Sequence, residues 1–106
     1  MDQVFLQAGA TRYGPISEAH TFWQRWRGLK DLPPGASVLI RTSSVHGFAA
    51  GTPFRAVGLT ARFQVRAAQV VKPGRIARFP GCRYVLELPL GAEAPEPGVM
   101  LELRRV

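Results

Sequence analysis

The sequence predicts a mainly β domain: a compact antiparallel β-sandwich, a jelly-roll-like fold or a small barrel, with one short helix at about residues 17–28. Three observations carry this expectation. Short apolar runs recur at roughly ten-residue spacing, the interval expected of a sandwich or barrel. Turn-forming residues, 11 Gly and 9 Pro among 106, fall between those runs. Only one stretch repeats its apolar residues at helical spacing.

Val4-Phe5-Leu6 is a β-prone run, with turns expected at Gly9 and at Tyr13-Gly14-Pro15. Ser17 then reads as a helix cap and Glu18 suits the positive end of the first turn. Ala19, Phe22, Trp23 and Trp26 line one face, and Gly28 sits where a helix stops. Leu32-Pro33-Pro34-Gly35 is a rigid connection to Ser37-Val38-Leu39-Ile40-Arg41, whose continuous apolar centre suits a strand buried on both faces. Thr42 to Thr52 reads as a loop or irregular strand, and Pro53 to Leu59 as a strand. Ala61-Arg62 connects it to Phe63–Val71, the clearest alternation in the chain, which predicts a half-buried strand. Phe79-Pro80-Gly81 is a turn, Tyr84–Leu88 a strand, Ala94–Gly98 an acidic loop and Val99–Leu103 the last strand. One domain over residues 1–106 is expected, with no repeat and no linker.

The formal charge is +7, from 14 Lys+Arg against 7 Asp+Glu. The excess is localised. No acid lies between Asp31 and Glu87, while Arg41, Arg55, Arg62, Arg66, Lys72, Arg75, Arg78 and Arg83 do. Such a field attracts polyanions, nucleic acid among them. Arg outnumbers Lys 12 to 2, and a solvated basic surface also serves solubility. No apolar run is long enough to span a bilayer, and the first residues do not form a signal peptide. Cys82 is the single cysteine, so an intramolecular disulfide framework is excluded and a cytoplasmic setting is expected.

A collinear series of motifs runs through the chain: Arg27-Gly28-Leu29, Leu32-Pro33-Pro34-Gly35, Ser44-Val45-His46-Gly47-Phe48 ahead of Pro53-Phe54, Val71-Lys72-Pro73-Gly74-Arg75, and Val85-Leu86-Glu87-Leu88-Pro89-Leu90-Gly91. The series resembles the domain of unknown function 192 family of small β-rich bacterial and archaeal proteins, over about four-fifths of the chain. The resemblance implies a compact, mostly β domain with one short helix, and it supplies no activity. Arg55 stands where relatives carry an aspartate, and Thr60 and Ala61 stand where they carry acids. A catalytic or metal role for those carboxylates therefore does not carry over.

Among polar candidates, His46 lies in a loop beside Thr42, Ser43 and Ser44. A general base needs a partner to orient its ring, and Glu87 or Cys82 would have to supply it through the fold. Glu87 sits mid-strand and, once buried, needs a cation such as Arg41, Arg55 or Arg66. His20 has no partner at metal-ligand spacing and reads as a helix-surface residue. Neither a metal nor a cofactor is expected, because two histidines and one cysteine make no zinc pattern and no glycine fingerprint is present. The favoured reading is a non-catalytic binding module whose ligand is a polyanion or nucleic acid. Arg41, Ser44, His46, Arg55, Arg66 and Arg83 are its candidate contacts, and Phe48, Phe54, Phe63 and Tyr84 are interleaved as stacking groups. The alternatives are a small enzyme using His46 with Cys82 or Glu87, and a structural or partner-binding protein, monomeric or homodimeric.

Overall fold

The structure is a computed structural model that describes residues 2–20, 35–47 and 51–105. In chain order its strands are β1 (Gln3–Ala8), β2 (Thr11–Ala19), β3 (Ser37–Ile40), β4 (Ser44–His46), β5 (Phe54–Leu59), β6 (Val65–Val71), β7 (Ile76–Arg78), β8 (Tyr84–Pro89) and β9 (Glu102–Arg105). Seven form one sheet in the order β6-β5-β8-β3-β2-β1-β9, and β4 pairs with β7 in a second. The β2–β3 pair is parallel, which makes the large sheet mixed rather than purely antiparallel. The mainly β expectation holds.

The large sheet curls until its two edges meet. Gln64, just before β6, bridges Met100, just before β9. The Val65 amide donates to the Val99 carbonyl (2.9 Å), the Leu101 amide to the Phe63 carbonyl (3.0 Å) and the Gly98 amide to the Val65 carbonyl (2.7 Å). Of the architectures the sequence left open, this is the small barrel. Its interior is filled by Leu6, Ile16, Leu39, Val57, Leu59 and Leu86, supplied by alternate positions of five strands. The other face of the central strands carries Val38, Ile40, Ala56 and Val85, and Val45, Ala77 and Phe79 cover it. The small β4–β7 sheet is thus a lid over the barrel wall. Burial on both faces explains why β3 reads as an unbroken apolar run and why Glu87 is enclosed between Leu86 and Leu88 of β8.

Two expectations are corrected. Ser17, Glu18 and Ala19 are not a helix start. They end β2, with Ser17 opposite Gln3 of β1 and aligned with Val38 of β3. Pairing on both sides overrides a local capping pattern, and Ala19 buries in the outer core beside β3. The remainder of the expected helix, from Thr21 to Gly28, lies outside the described residues. Second, Tyr13-Gly14-Pro15 is not a turn but an irregular stretch inside β2, where the β1–β2 register shifts. Gly14 has φ +133, and a Cβ there would sit 3.0 Å from the Phe5 ring and 3.1 Å from the Val4 carbonyl.

The alternation seen in Phe63–Val71 also has a different outcome. β6 is a sheet edge, and its register slips at Gly58/Leu59, leaving Arg66 as the extra residue. Only Val65 and Val71 are buried, and Val70 is 50% exposed. The last strand begins at Glu102 rather than Val99, because the residues before it close the barrel.

Gly58 of β5 is where the lid touches the wall. A Cβ there would lie 2.6 Å from Phe79 and 2.9 Å from the Cys82 sulfur. Gly58→Ala is therefore expected to cost about 1–3 kcal/mol through overpacking. Gly91→Ala, which meets nothing within 4 Å, is expected to stay within about 0.5 kcal/mol of the parent. Urea denaturation of both variants checks this.

Candidate anion-binding site

One end of the barrel gathers the basic residues. β3 ends at Ile40, opposite Val85 of β8, so Arg41 emerges beside the start of β8, where Arg83 also lies. The Arg83 amide donates to the Leu59 carbonyl at the end of β5 (2.8 Å). Arg41, Thr42, Ser43, Cys82 and Arg83 line a cavity of about 400 Å³. Arg66, the extra residue at the bulge in β6, lies beside the adjoining Gly81–Cys82 turn. Its guanidinium carbon lies 3.8 Å from the position a Cβ would take on Gly81, and its charge acts on the Cys82 thiol.

The turn is held rigidly. The Phe79 amide donates to the Ser43 carbonyl (2.7 Å) and the Cys82 amide to the Phe79 carbonyl (3.1 Å). The Thr42 hydroxyl donates to the Ser44 carbonyl (3.0 Å) and accepts from the Ser44 amide (3.2 Å). Arg41 and Arg83 are exposed, and none of the arginines from Arg41 to Arg83 has an acid as ion-pair partner among the described residues. The only acid in residues 35–90 is Glu87, which is buried in the sheet at 4% exposure.

The other candidates fall elsewhere. Arg55 is on the barrel-interior side of β5, in line with Val57 and Leu59, opposite Leu88 and Val70. It is four residues from the Leu59 end and does not belong to the cluster; its Nε is buried without a hydrogen-bond partner. Ser44 and His46 sit on β4, facing Arg78 and Ile76 of β7. Ser44 is exposed and follows the cavity-lining Ser43, whereas His46 is half-buried near the Lys72–Arg75 turn. Glu87 is mid-β8, between Val38 and Ala56, and is not a free charge.

The aromatic residues are largely committed to packing. Phe54 belongs to the outer core, and the Phe63 and Tyr84 rings stack on each other with centroids 4.6 Å apart against the inner core. Phe48 lies outside the described residues. Burial pushes the Cys82 thiol above its ordinary 9.0, and Arg66 opposes that shift without cancelling it. A thiol nucleophile needs the reverse.

The sequence did not bring His20 together with Asp2 and Glu18. The structure does, because the Gln3–Ser17 register places Asp2 beside Glu18 at the barrel rim. Nothing in their spacing signals it, since Asp2 is remote in sequence and the end of β2 reads as a helix.

No family model matches the chain, and no curated protein matches it. Solved structures with this fold include a protein of unknown function from Novosphingobium aromaticivorans DSM 12444, with a TM-score of 0.73 at 16% identity, covering 94% of this chain and 83% of that one. A proposed transcription regulator from Sinorhizobium meliloti 1021 superposes with a TM-score of 0.72 at 20% identity, covering 96% and 92% respectively. At these identities the likeness shows the fold alone. Among the described residues, no helix is long and apolar enough to cross a membrane.

The Cys82 environment has two measurable effects. Arg66→Ala removes the one influence lowering the thiol pKa, so the thiolate absorbance should titrate at still higher pH. Because the folded pKa is raised, the thiol's contribution to stability is full below its ordinary value and fades as pH climbs through the folded value. Cys82→Ser should therefore flatten the alkaline loss of denaturation midpoint, measured against the parent.

Proposed function

We propose that this protein is a non-catalytic module that binds a phosphate-bearing polyanion, single-stranded nucleic acid in particular. The observation that carries this reading is the meeting of Arg41 and Arg83 around one cavity, with Arg66 beside the adjoining Gly81–Cys82 turn. Guanidinium forks match phosphate oxygens, and Thr42 and Ser43 add short polar groups on the same wall. An unbalanced basic cluster also draws polyanions by releasing their counterions.

With Phe54 buried and Phe63 stacked on Tyr84, contacts to the phosphate backbone outweigh base stacking. Recognition is then sequence-tolerant. The raised Cys82 thiol pKa supports binding over the enzyme that would pair Cys82 with His46. The Sinorhizobium meliloti protein of the same fold, described as a proposed transcription regulator, is compatible with a nucleic-acid ligand. Membership in the domain of unknown function 192 family rests on the motif series quoted above and would leave this reading unchanged. A lone half-buried cysteine fits a reducing, cytoplasmic setting.

Fluorescence anisotropy with short single-stranded DNA and RNA at several salt concentrations tests the proposal. Three engaged arginines predict a log K against log salt slope of about −2, from roughly −0.7 per phosphate. Arg41→Ala and Arg83→Ala should each weaken binding and flatten the slope by about 0.7. Arg104→Ala, whose guanidinium pairs with Glu102 on β9, should change little. Absence of binding at low salt, or affinities indifferent to Arg41 and Arg83, would overturn it.

A further inference from the structure

We infer that Asp2, Glu18 and His20 form a binding site for a first-row divalent metal ion, zinc or cobalt by donor type, at the barrel rim where β2 ends beside Ile40 of β3. Strand register builds it. Gln3 faces Ser17, so the next pair outward is Asp2 and Glu18, and the Glu18 amide donates to the Asp2 carbonyl (2.7 Å). His20 lies two residues beyond Glu18, the interval that returns a side chain to the same face of extended chain.

The three donor atoms lie within 4.8 Å of one another. The His20 Nε2 is 3.4 Å from the Asp2 carboxylate and 3.7 Å from that of Glu18. A charge-assisted hydrogen bond would draw such atoms to about 2.7–2.9 Å. Bonds of about 2.0–2.1 Å in a tetrahedral site instead hold ligand atoms roughly 3.3–3.5 Å apart. The two His20 distances lie closer to the second geometry.

The central ligand is already fixed in place. The Glu18 side chain is only 13% exposed and is bonded by the Arg105 guanidinium of β9. Arg105 reaches Oε1, the same oxygen that faces His20, and so holds the carboxylate toward the imidazole. Asp2 and His20, at 75% and 51% exposure, leave the site open for ion entry and for water as a further ligand. One nitrogen and two carboxylates, without thiolate, suit zinc, cobalt or nickel better than a soft ion. The ion would tie the segment before β1 to the end of β2.

The test uses the tag-free full chain, stripped with chelator and titrated with zinc chloride by calorimetry and with cobalt chloride by visible absorbance. One ion per chain is expected, with a rise in thermal midpoint. His20→Ala and Asp2→Asn should each weaken affinity by about tenfold or more while circular dichroism stays that of the parent. No saturable binding, or binding by both variants as tight as by the parent, would overturn the site.

Discussion

Everything in this protein depends on the closure of one curled sheet. The hydrogen bonds that join Phe63 and Val65 to Gly98, Val99 and Leu101 are few, yet they decide what counts as inside. Without them Leu6, Leu59 and Leu86 would line a groove open to water, and an interior filled by alternate strand positions would lose its far wall. The unpaired edges of an open sheet would also be exposed along their length. Closure leaves β6 beyond Val65 without a second partner strand, and that stretch carries Arg66, which lies beside the candidate site.

The second dependence is a missing side chain. Because Gly58 offers no Cβ, Phe79 and the Cys82 sulfur rest directly on the barrel wall. That contact seats the turn containing Gly81, Cys82 and Arg83 against the end of β5. The same turn is pinned to the first residues after β3 by the Phe79–Ser43 hydrogen bond. The basic cavity is therefore assembled from three separate segments whose relative placement is a packing outcome, on a rigid wall rather than on a long loop.

The fold is legible in the sequence where the pattern is local. β1, β3, β5 and β8 are apolar runs bounded by turn residues, and the sequence locates each of them. It does not locate β2, because Ser17, Glu18 and Ala19 imitate a helix start, and their strand state is imposed by partners remote in sequence. It does not locate β7, three residues long, whose only buried side chain is Ala77. For β6 the alternation indicates a half-buried strand, and topology makes it an edge. At the candidate site, charge alone points to Arg41, Arg66 and Arg83, but equally to Arg55, since sequence cannot tell which face of a strand a cation occupies once both faces are buried. The proximity of Asp2, Glu18 and His20 is beyond reach for the same reason as β2.

The neighbouring positions of β1 and β9 have a consequence for how the chain acquires its structure. Val4 through Gln7 pair with Arg105 through Glu102, so nearly the whole chain separates the two partners. The residues that seal the barrel, Gly98 to Leu101, come immediately before β9. During synthesis the interior cannot be shut until almost the last of these residues has left the ribosome. Contacts of such long separation also make for slow, all-or-none folding. A truncation that removed only β9 would therefore act on the entire barrel rather than on one strand, and the nascent protein must keep its unsealed apolar wall from other chains until the sealing residues emerge.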